Sequence, residues 1–170
     1  MGLVRDIFWV FRQSQHWMPL TKWTALVQGE GCEICADVDA EESKFGFCVA
    51  RLQVANLILP KNQYARGYCL LTYREHATEL HELVPEKRDA FFHDLTRAAT
   101  AVAHVFKPIK MNYQILGNLT PHLHCHITPR YWGDPAPGRP LNTFAGRRLL
   151  SREEYRRIIE ELQSELTRSG

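Results

Sequence analysis

Between Asn118 and Arg130 the chain reads Asn-Leu-Thr-Pro-His-Leu-His-Cys-His-Ile-Thr-Pro-Arg, so that His122, His124 and His126 alternate with Leu123, Cys125 and Ile127. A period of two is the mark of a β-strand, because successive side chains leave a strand on opposite faces. The pattern predicts imidazoles along one face and a core beneath the other. Such a face suits metal binding, proton transfer or nucleophilic attack. One ion held by all three rings is disfavoured by spacing. At a rise of about 3.3 Å per residue, neighbouring histidines stand about 6.6 Å apart and the outer two about 13 Å. An imidazole–metal bond spans only about 2.1 Å. The three rings are therefore expected to divide the work. A row of imidazoles can bind an anion along its length, while the middle one attacks and a neighbour handles protons or charge.

A second group of reactive residues lies at Gly31-Cys32-Glu33-Ile34-Cys35, ahead of the acidic stretch from Asp37 to Glu42. Cys-x-x-Cys reads as a redox pair, as half a metal site, or as two unrelated thiols. A redox motif belongs at a strand-to-helix junction of a βαβ unit, and none is evident around these residues. Half a zinc site needs two further ligands elsewhere. His16, His81, His93 and His104 read as surface or packing residues, Cys48, Cys69 and Cys125 as small hydrophobes in strands, and Trp132 as a loop residue that covers its own core more readily than it stacks on a base.

The elements that position these residues follow from periodicity. Phe45 to Ala50 and Leu52 to Leu59 read as two closely joined strands or one bent strand. Gly67 to Tyr73 reads as a further strand, and Lys110 to Leu116 as the strand before the histidine-bearing one. A short helix is predicted over Ala77 to Leu83. A longer one starts at Pro85-Glu86, carries Phe91, Leu95, Ala98, Val102 and Val105 on one face, and ends at Lys107-Pro108. Tyr131 to Gly138 is too densely punctuated for regular structure. Ser151-x-x-Glu154 is a capping box opening a last helix, with Tyr155, Ile158, Ile159, Leu162 and Leu166 as its buried stripe. Tight turns between strands, with helices grouped apart, imply one α+β domain with a mainly antiparallel sheet of about five strands and two longer helices.

Residues 1–28 form an aromatic arm, carrying Phe8, Trp9, Phe11, Trp17 and Trp23, ahead of a single domain over 29–170. Arg5, Asp6 and Arg12 interrupt its apolar run, which does not read as a signal peptide and is too broken to span a membrane. Ile7, Phe8, Val10 and Phe11 are compatible with one face of a short helix, and the arm is expected to pack on its own domain or on a second subunit. The chain has 170 residues, enough for a real core, and a net charge of +2. That balance speaks against a dedicated nucleic-acid binder, whereas small anions need only a local positive site. Five cysteines, an odd number, do not read as a secreted disulfide framework, and a reducing cytoplasm is the simpler home. The long apolar stripe and the aromatic arm together suggest a homodimer.

His-φ-His-φ-His-φ (φ being apolar), preceded by Met111 to Asn118 and followed by Pro129-Arg130, resembles the histidine triad family of nucleotide hydrolases and nucleotidyl transferases, and most of all its bacterial diadenosine polyphosphate hydrolase-like branch. The likeness runs from about Cys32 to Pro140. It implies a dimeric α+β fold and an enzyme that cleaves a phosphoanhydride in a dinucleoside polyphosphate or similar nucleotide conjugate. His124 would be the nucleophile, forming a nucleotidyl-histidine, and His126 would sit beside the phosphate as donor or proton handler. Asn118, the backbone of Leu119, Asn112 and Asn62 are the implied substrate contacts. In the zinc-bearing branch of the superfamily, Cys32, Cys35, His76 and His122 fall where the metal ligands stand, implying a structural zinc. Three positions depart from the family pattern. Tyr68 replaces a histidine, Leu119 a Ser or Thr, and Pro60 the ribose-binding Asp or Asn. The first two also fit a nucleotide-binding module without turnover, and a transferase or phosphorylase shares the same first half-reaction.

Overall fold

The computed structural model describes residues 18–141 and 146–168. The proposed helical face of Ile7, Phe8, Val10 and Phe11 lies outside them. The apolar runs on either side of Leu52 are two strands, β1 (Gly46–Arg51) and β2 (Ala55–Pro60), paired as an antiparallel hairpin with an irregularity between Cys48 and Ala50. With β3 (Cys69–Tyr73), β4 (Lys110–Ile115) and β5 (His124–Arg130) they form a five-stranded, wholly antiparallel sheet in the order β1-β2-β3-β5-β4. The α+β architecture expected from the strand and helix pattern is the one observed.

Strand periodicity divides the sheet into two faces. Leu57, Leu59, Leu71, Leu123, Cys125 and Ile127 are all 0% exposed. They meet α3 (Pro85–Phe106) and α4 (Arg152–Arg168), the two long helices after α1 (Leu20–Val27) and α2 (Glu33–Ala36). Pro85 starts α3, where its missing N–H costs nothing, and Lys107 ends it in the left-handed region at φ 50°. The Ser151/Glu154 capping box opens α4, with the Glu154 N–H donating to Ser151 Oγ at 3.2 Å and the Ser151 N–H to Glu154 Oε2 at 2.7 Å.

Several expectations need correction. Ala77 to Leu83 is not an α-helix but a single 3₁₀ turn, Leu80–Glu82, closed by a Glu79/Glu82 capping box. Pro85 keeps the residue before it out of the α region, and the seven residues upstream are too few to nucleate a helix of their own. Phe91, Leu95, Ala98 and Val102 of the α3 stripe are buried within this chain, and Val105 is half-buried. Trp132 is 87% exposed and covers no core. Helix α1 has no counterpart in the periodicity analysis. No described helix is long and apolar enough to cross a membrane.

Candidate functional site

The strand proper begins at His124, not at His122. Residues 120–123 bend, with the His122 N–H donating to the Thr120 carbonyl at 2.8 Å and the Leu123 N–H to the Ala77 carbonyl at 2.6 Å. The three histidines therefore do not stand in one row. His124 and His126 share the open face of β5, their ring centroids 5.1 Å apart, while His122 turns to a different set of neighbours.

Those neighbours are Cys32, Cys35 and His76. One ligand atom from each of the four residues falls within 4.8 Å of the others. Cys32 Sγ lies 3.3 Å from His122 Nδ1, Cys35 Sγ 3.3 Å from His76 Nδ1, and Cys35 Sγ 3.4 Å from His122 Nδ1. A tetrahedral ion with bonds of about 2.3 Å to sulfur and about 2.0–2.1 Å to nitrogen separates neighbouring ligand atoms by about 3.3–3.8 Å. The spacing fits. The far nitrogens are spoken for as well. His122 Nε2 is 2.7 Å from the Tyr73 carbonyl, and His76 Nε2 is 3.0 Å from the Val27 carbonyl. A carbonyl only accepts, so both Nε2 atoms carry the proton and both Nδ1 lone pairs face the sulfurs. Burial holds the His122 pKa down at about 4, leaving the ring neutral, as a ligand must be. Gly29, at φ 84°, lets the loop before Cys32 lie on the His76 ring, where an added Cβ would stand 3.4 Å from Cγ.

His124 is 8% exposed, and its Nδ1 lies 2.6 Å from the His122 carbonyl. The same donor logic puts the proton on Nδ1 and leaves the Nε2 lone pair bare. Burial lowers the His124 pKa, so that lone pair is not lost to a proton at neutral pH. The ring lines a cavity of about 170 Å³ on the open face of the sheet. Asn56 of β2, Thr72 of β3 and His124 form one cross-strand row of that face. Ile34, Phe45, Ile58 and Leu70 supply apolar walls, and Thr120 and Asp37 polar ones. The Asn56 amide donates to the Val38 carbonyl at 2.7 Å, while its Oδ1 is buried without a partner beside the cavity. His126 stands in the next row, opposite Leu70 and Gln114.

The implied substrate contacts fare unevenly. Asn118 and Leu119 are exposed in the stretch leading to His122. Asn112 is taken up by Arg130, whose Nη1 donates to Asn112 Oδ1 at 2.7 Å while Nη2 and Nε hold the Ala136 carbonyl and Asp134 of the exit loop. Asn62 lies beyond the Pro60 end of β2, away from the His124 row, and clamps residues 146–148. Its Nδ2 donates to the Gly146 carbonyl at 3.2 Å, and the Arg148 N–H donates to its Oδ1 at 3.0 Å. Neither asparagine reaches the cavity beside His124. Asn56 and Thr72 do, and sequence reasoning passed over both. The available signal was a lone polar residue in each of two apolar strands, on the parity of the histidine face. A larger cavity, about 810 Å³, runs along β4 and the exit loop and touches none of the three histidines.

The HIT domain model matches residues 47–133, slightly more than half of the chain. The chain belongs to the HIT domain family. Among curated relatives, the protein named hit from Bacillus subtilis is 29% identical over 89 residues, which cover 49% of this chain and 61% of that protein. The matched region thus spans less than two thirds of that relative's length. Among solved structures, a histidine triad protein from Bradyrhizobium japonicum superposes with a TM-score of 0.66 at 25% identity, over 72% of this chain and 92% of that one. A Zn-bound histidine triad family protein from Mycobacterium smegmatis superposes at 0.62 with 22% identity, over 82% and 97%. The HIT-like α+β sheet is common to all of these structures.

Proposed function

We propose that this HIT protein is a nucleotide hydrolase that cleaves a phosphoanhydride, in a dinucleoside polyphosphate or similar nucleotide conjugate, through a nucleotidyl-His124 intermediate. The observation that carries the reading is the His124 Nδ1 contact with the His122 carbonyl, which leaves Nε2 as the lone pair of a ring lining the cavity. In the first step that lone pair attacks the α-phosphorus, and the P–O bond to the leaving phosphate breaks with its electron pair. Water then attacks the same phosphorus, the P–N bond breaks back onto Nε2, and the water's proton leaves to solvent. A neutral imidazole forms a cationic phosphoramidate, which is labile and so suits an intermediate that must be released. The apolar walls take the base, Asn56 and Thr72 are placed to meet donors on the sugar or base, and Asn118 and the backbone of Leu119 meet phosphate.

The same reading assigns a structural zinc to Cys32, Cys35, His76 and His122. Two thiolates and two imidazoles would hold the ion as a closed structural set, which would brace the 120–123 bend rather than activate water. It also assigns a homodimer, a cytoplasmic location, and an arm over 1–28 attached to a single 29–170 domain. Light scattering at micromolar concentration tests the dimer, and a monomeric mass refutes it.

The deciding experiment compares His124→Ala with His126→Ala on dinucleoside polyphosphates and traps labelled nucleotide on the protein without acid quenching. His124→Ala should abolish turnover and keep nucleotide binding measurable, and His126→Ala should retain more activity. Near-normal turnover in His124→Ala, or label on another residue, refutes the mechanism.

A further inference from the structure

One buried polar contact on the open face has no part in this scheme. Tyr68, directly before β3, is 6% exposed, and its hydroxyl oxygen lies 2.6 Å from His126 Nδ1. The two ring planes lie 17° from parallel with centroids 5.9 Å apart, so the hydroxyl meets the edge of the imidazole close to its plane. Tyr64 packs against Tyr68 at 4.6 Å, and its own hydroxyl stands 3.5 Å from Thr128 Oγ1. The phenol is therefore walled in, and Nδ1 of His126 is the partner its hydroxyl has. Nε2, across the ring, has no hydrogen-bond partner among the described residues.

Two assignments of the shared proton are conceivable: phenol to imidazole, or ring N–H to phenol oxygen. An imidazole lone pair is the better acceptor, because the phenol oxygen delocalises its own into the aromatic ring, and the phenol is the more acidic donor. Burial keeps both groups neutral, raising the Tyr68 pKa and lowering that of His126 to about 4, and so excludes a phenolate–imidazolium pair, leaving the choice between the two neutral arrangements to donor and acceptor strength. We infer that Tyr68 is a positioning residue that acts through His126: its O–H donates to Nδ1 and fixes the His126 proton on Nε2.

His126 then meets substrate as a pre-aimed N–H donor and not as a base. This follows from the contact alone. Its catalytic meaning rests on the nucleotidyl-His124 reading, in which a donor beside the nucleophile steadies the oxygen that gains charge as the P–O bond breaks. Preorganisation matters because a ring free to exchange tautomers offers the substrate a lone pair for part of the time, and a lone pair repels phosphate oxygen. The Tyr in place of the family's histidine thereby keeps a donor at this point of the site, on a longer and stiffer arm.

The test uses the full, metal-loaded chain labelled with ¹⁵N in its histidines, with the His126 ring signals assigned by their loss in His126→Asn. Long-range proton–nitrogen spectra at pH 7 should show His126 protonated at Nε2 and bare at Nδ1. Tyr68→Phe should lose that fixed pattern, and Tyr68→His, which restores a donor, should regain it. With a nucleotide substrate, Tyr68→Phe should lower kcat roughly tenfold to a hundredfold and leave KM within about twofold, the size expected of a lost orienting partner. Tyr68→His should recover most of the rate. A wild-type His126 protonated at Nδ1, an unchanged spectrum in Tyr68→Phe, or a kcat unmoved by that substitution overturns the inference. The expected spectra in a protein that turns over no nucleotide sustain the tautomer assignment and refute the hydrolase reading instead.

Discussion

Replacing Asp94 by alanine is expected to cost about 4 kcal/mol of folding stability and to loosen the cavity wall beside His124. Asp94 sits in α3, 0% exposed, and reaches across to the β1–β2 turn. Its Oδ1 accepts the Gln53 N–H at 3.2 Å, and its Oδ2 accepts those of Val54 at 2.8 Å and Ala55 at 3.1 Å. Hydrogen bonds to a charged group contribute about 1.5–3 kcal/mol each, but the three do not simply add. Gln53 is exposed and Val54 half-buried, so water replaces the carboxylate there at a loss of roughly 1 kcal/mol apiece. Ala55 is 0% exposed, and its orphaned N–H costs about 1–3 kcal/mol. The hairpin so anchored carries Cys48, Asn56 and Ile58 into the cavity, so the damage reaches the site. Asp94→Asn can keep its oxygen on the Val54 and Ala55 side but turns an amide toward Gln53, for a smaller loss of about 2 kcal/mol. At about 2–4 °C per kcal/mol for a chain of this size, the alanine variant should melt roughly 8–16 °C early. Thermal and urea unfolding of the metal-loaded protein measure this. A loss below about 1 kcal/mol for Asp94→Ala would refute the three-donor clamp.

Elemental analysis of protein purified without chelators should find one zinc per chain, and Cys32→Ser should lower both the metal content and the melting temperature, since metal binding is part of the folding free energy. Gly67→Ala should destabilise by roughly 2–4 kcal/mol, read by thermal melting: its φ is 77°, and a Cβ would stand 2.6 Å from the Phe106 ring. Because Gly67 precedes Tyr68, the same substitution should also reduce kcat. For His126 the folded pKa, about 4, lies below an unfolded value of about 6.5, so the unfolded chain takes up the proton first. This contribution to stability is complete above pH 6.5 or so and is lost as pH falls toward 4. Melting temperatures measured from pH 4 to 7 should therefore show a shallower slope in His126→Gln than in the parent, and equal slopes would contradict the burial argument.

The grouping of Cys32, Cys35, His76 and His122 was legible through the family resemblance, because Cys-x-x-Cys alone left a redox pair, half a metal site and two unrelated thiols open, and the fold brings the four ligand atoms within 4.8 Å of one another. The β5 core was legible from alternation, since Leu123, Cys125 and Ile127 had to lie on one face. His122 was misplaced because alternation reports side-chain parity and is blind to a backbone bend held by Thr120 and Ala77. Asn62 and Asn112 lie apart from the His124 cavity because an amide near a site in sequence is drawn to whatever carbonyl or guanidinium tertiary packing brings close. Packing brought Gly146 to one and Arg130 to the other. Tyr68 and His126 are 58 positions apart, and only the β3–β5 pairing brings them together.

The acceptor that orients His124 is a main-chain oxygen, that of His122. Point mutation can change any side chain at position 122 but cannot delete that carbonyl. The orientation of the His124 ring is in this respect protected from the genetic code. The bonds that hold that peptide in place, 2.8 Å to the Thr120 carbonyl and 2.6 Å to the Ala77 carbonyl, are main-chain contacts as well, so only a change that moves the backbone reaches them. The side chain at position 122 can change without unseating the His124 ring, as long as the bend survives. Substitutions that misdirect the His124 ring are then to be sought among those that displace the bend.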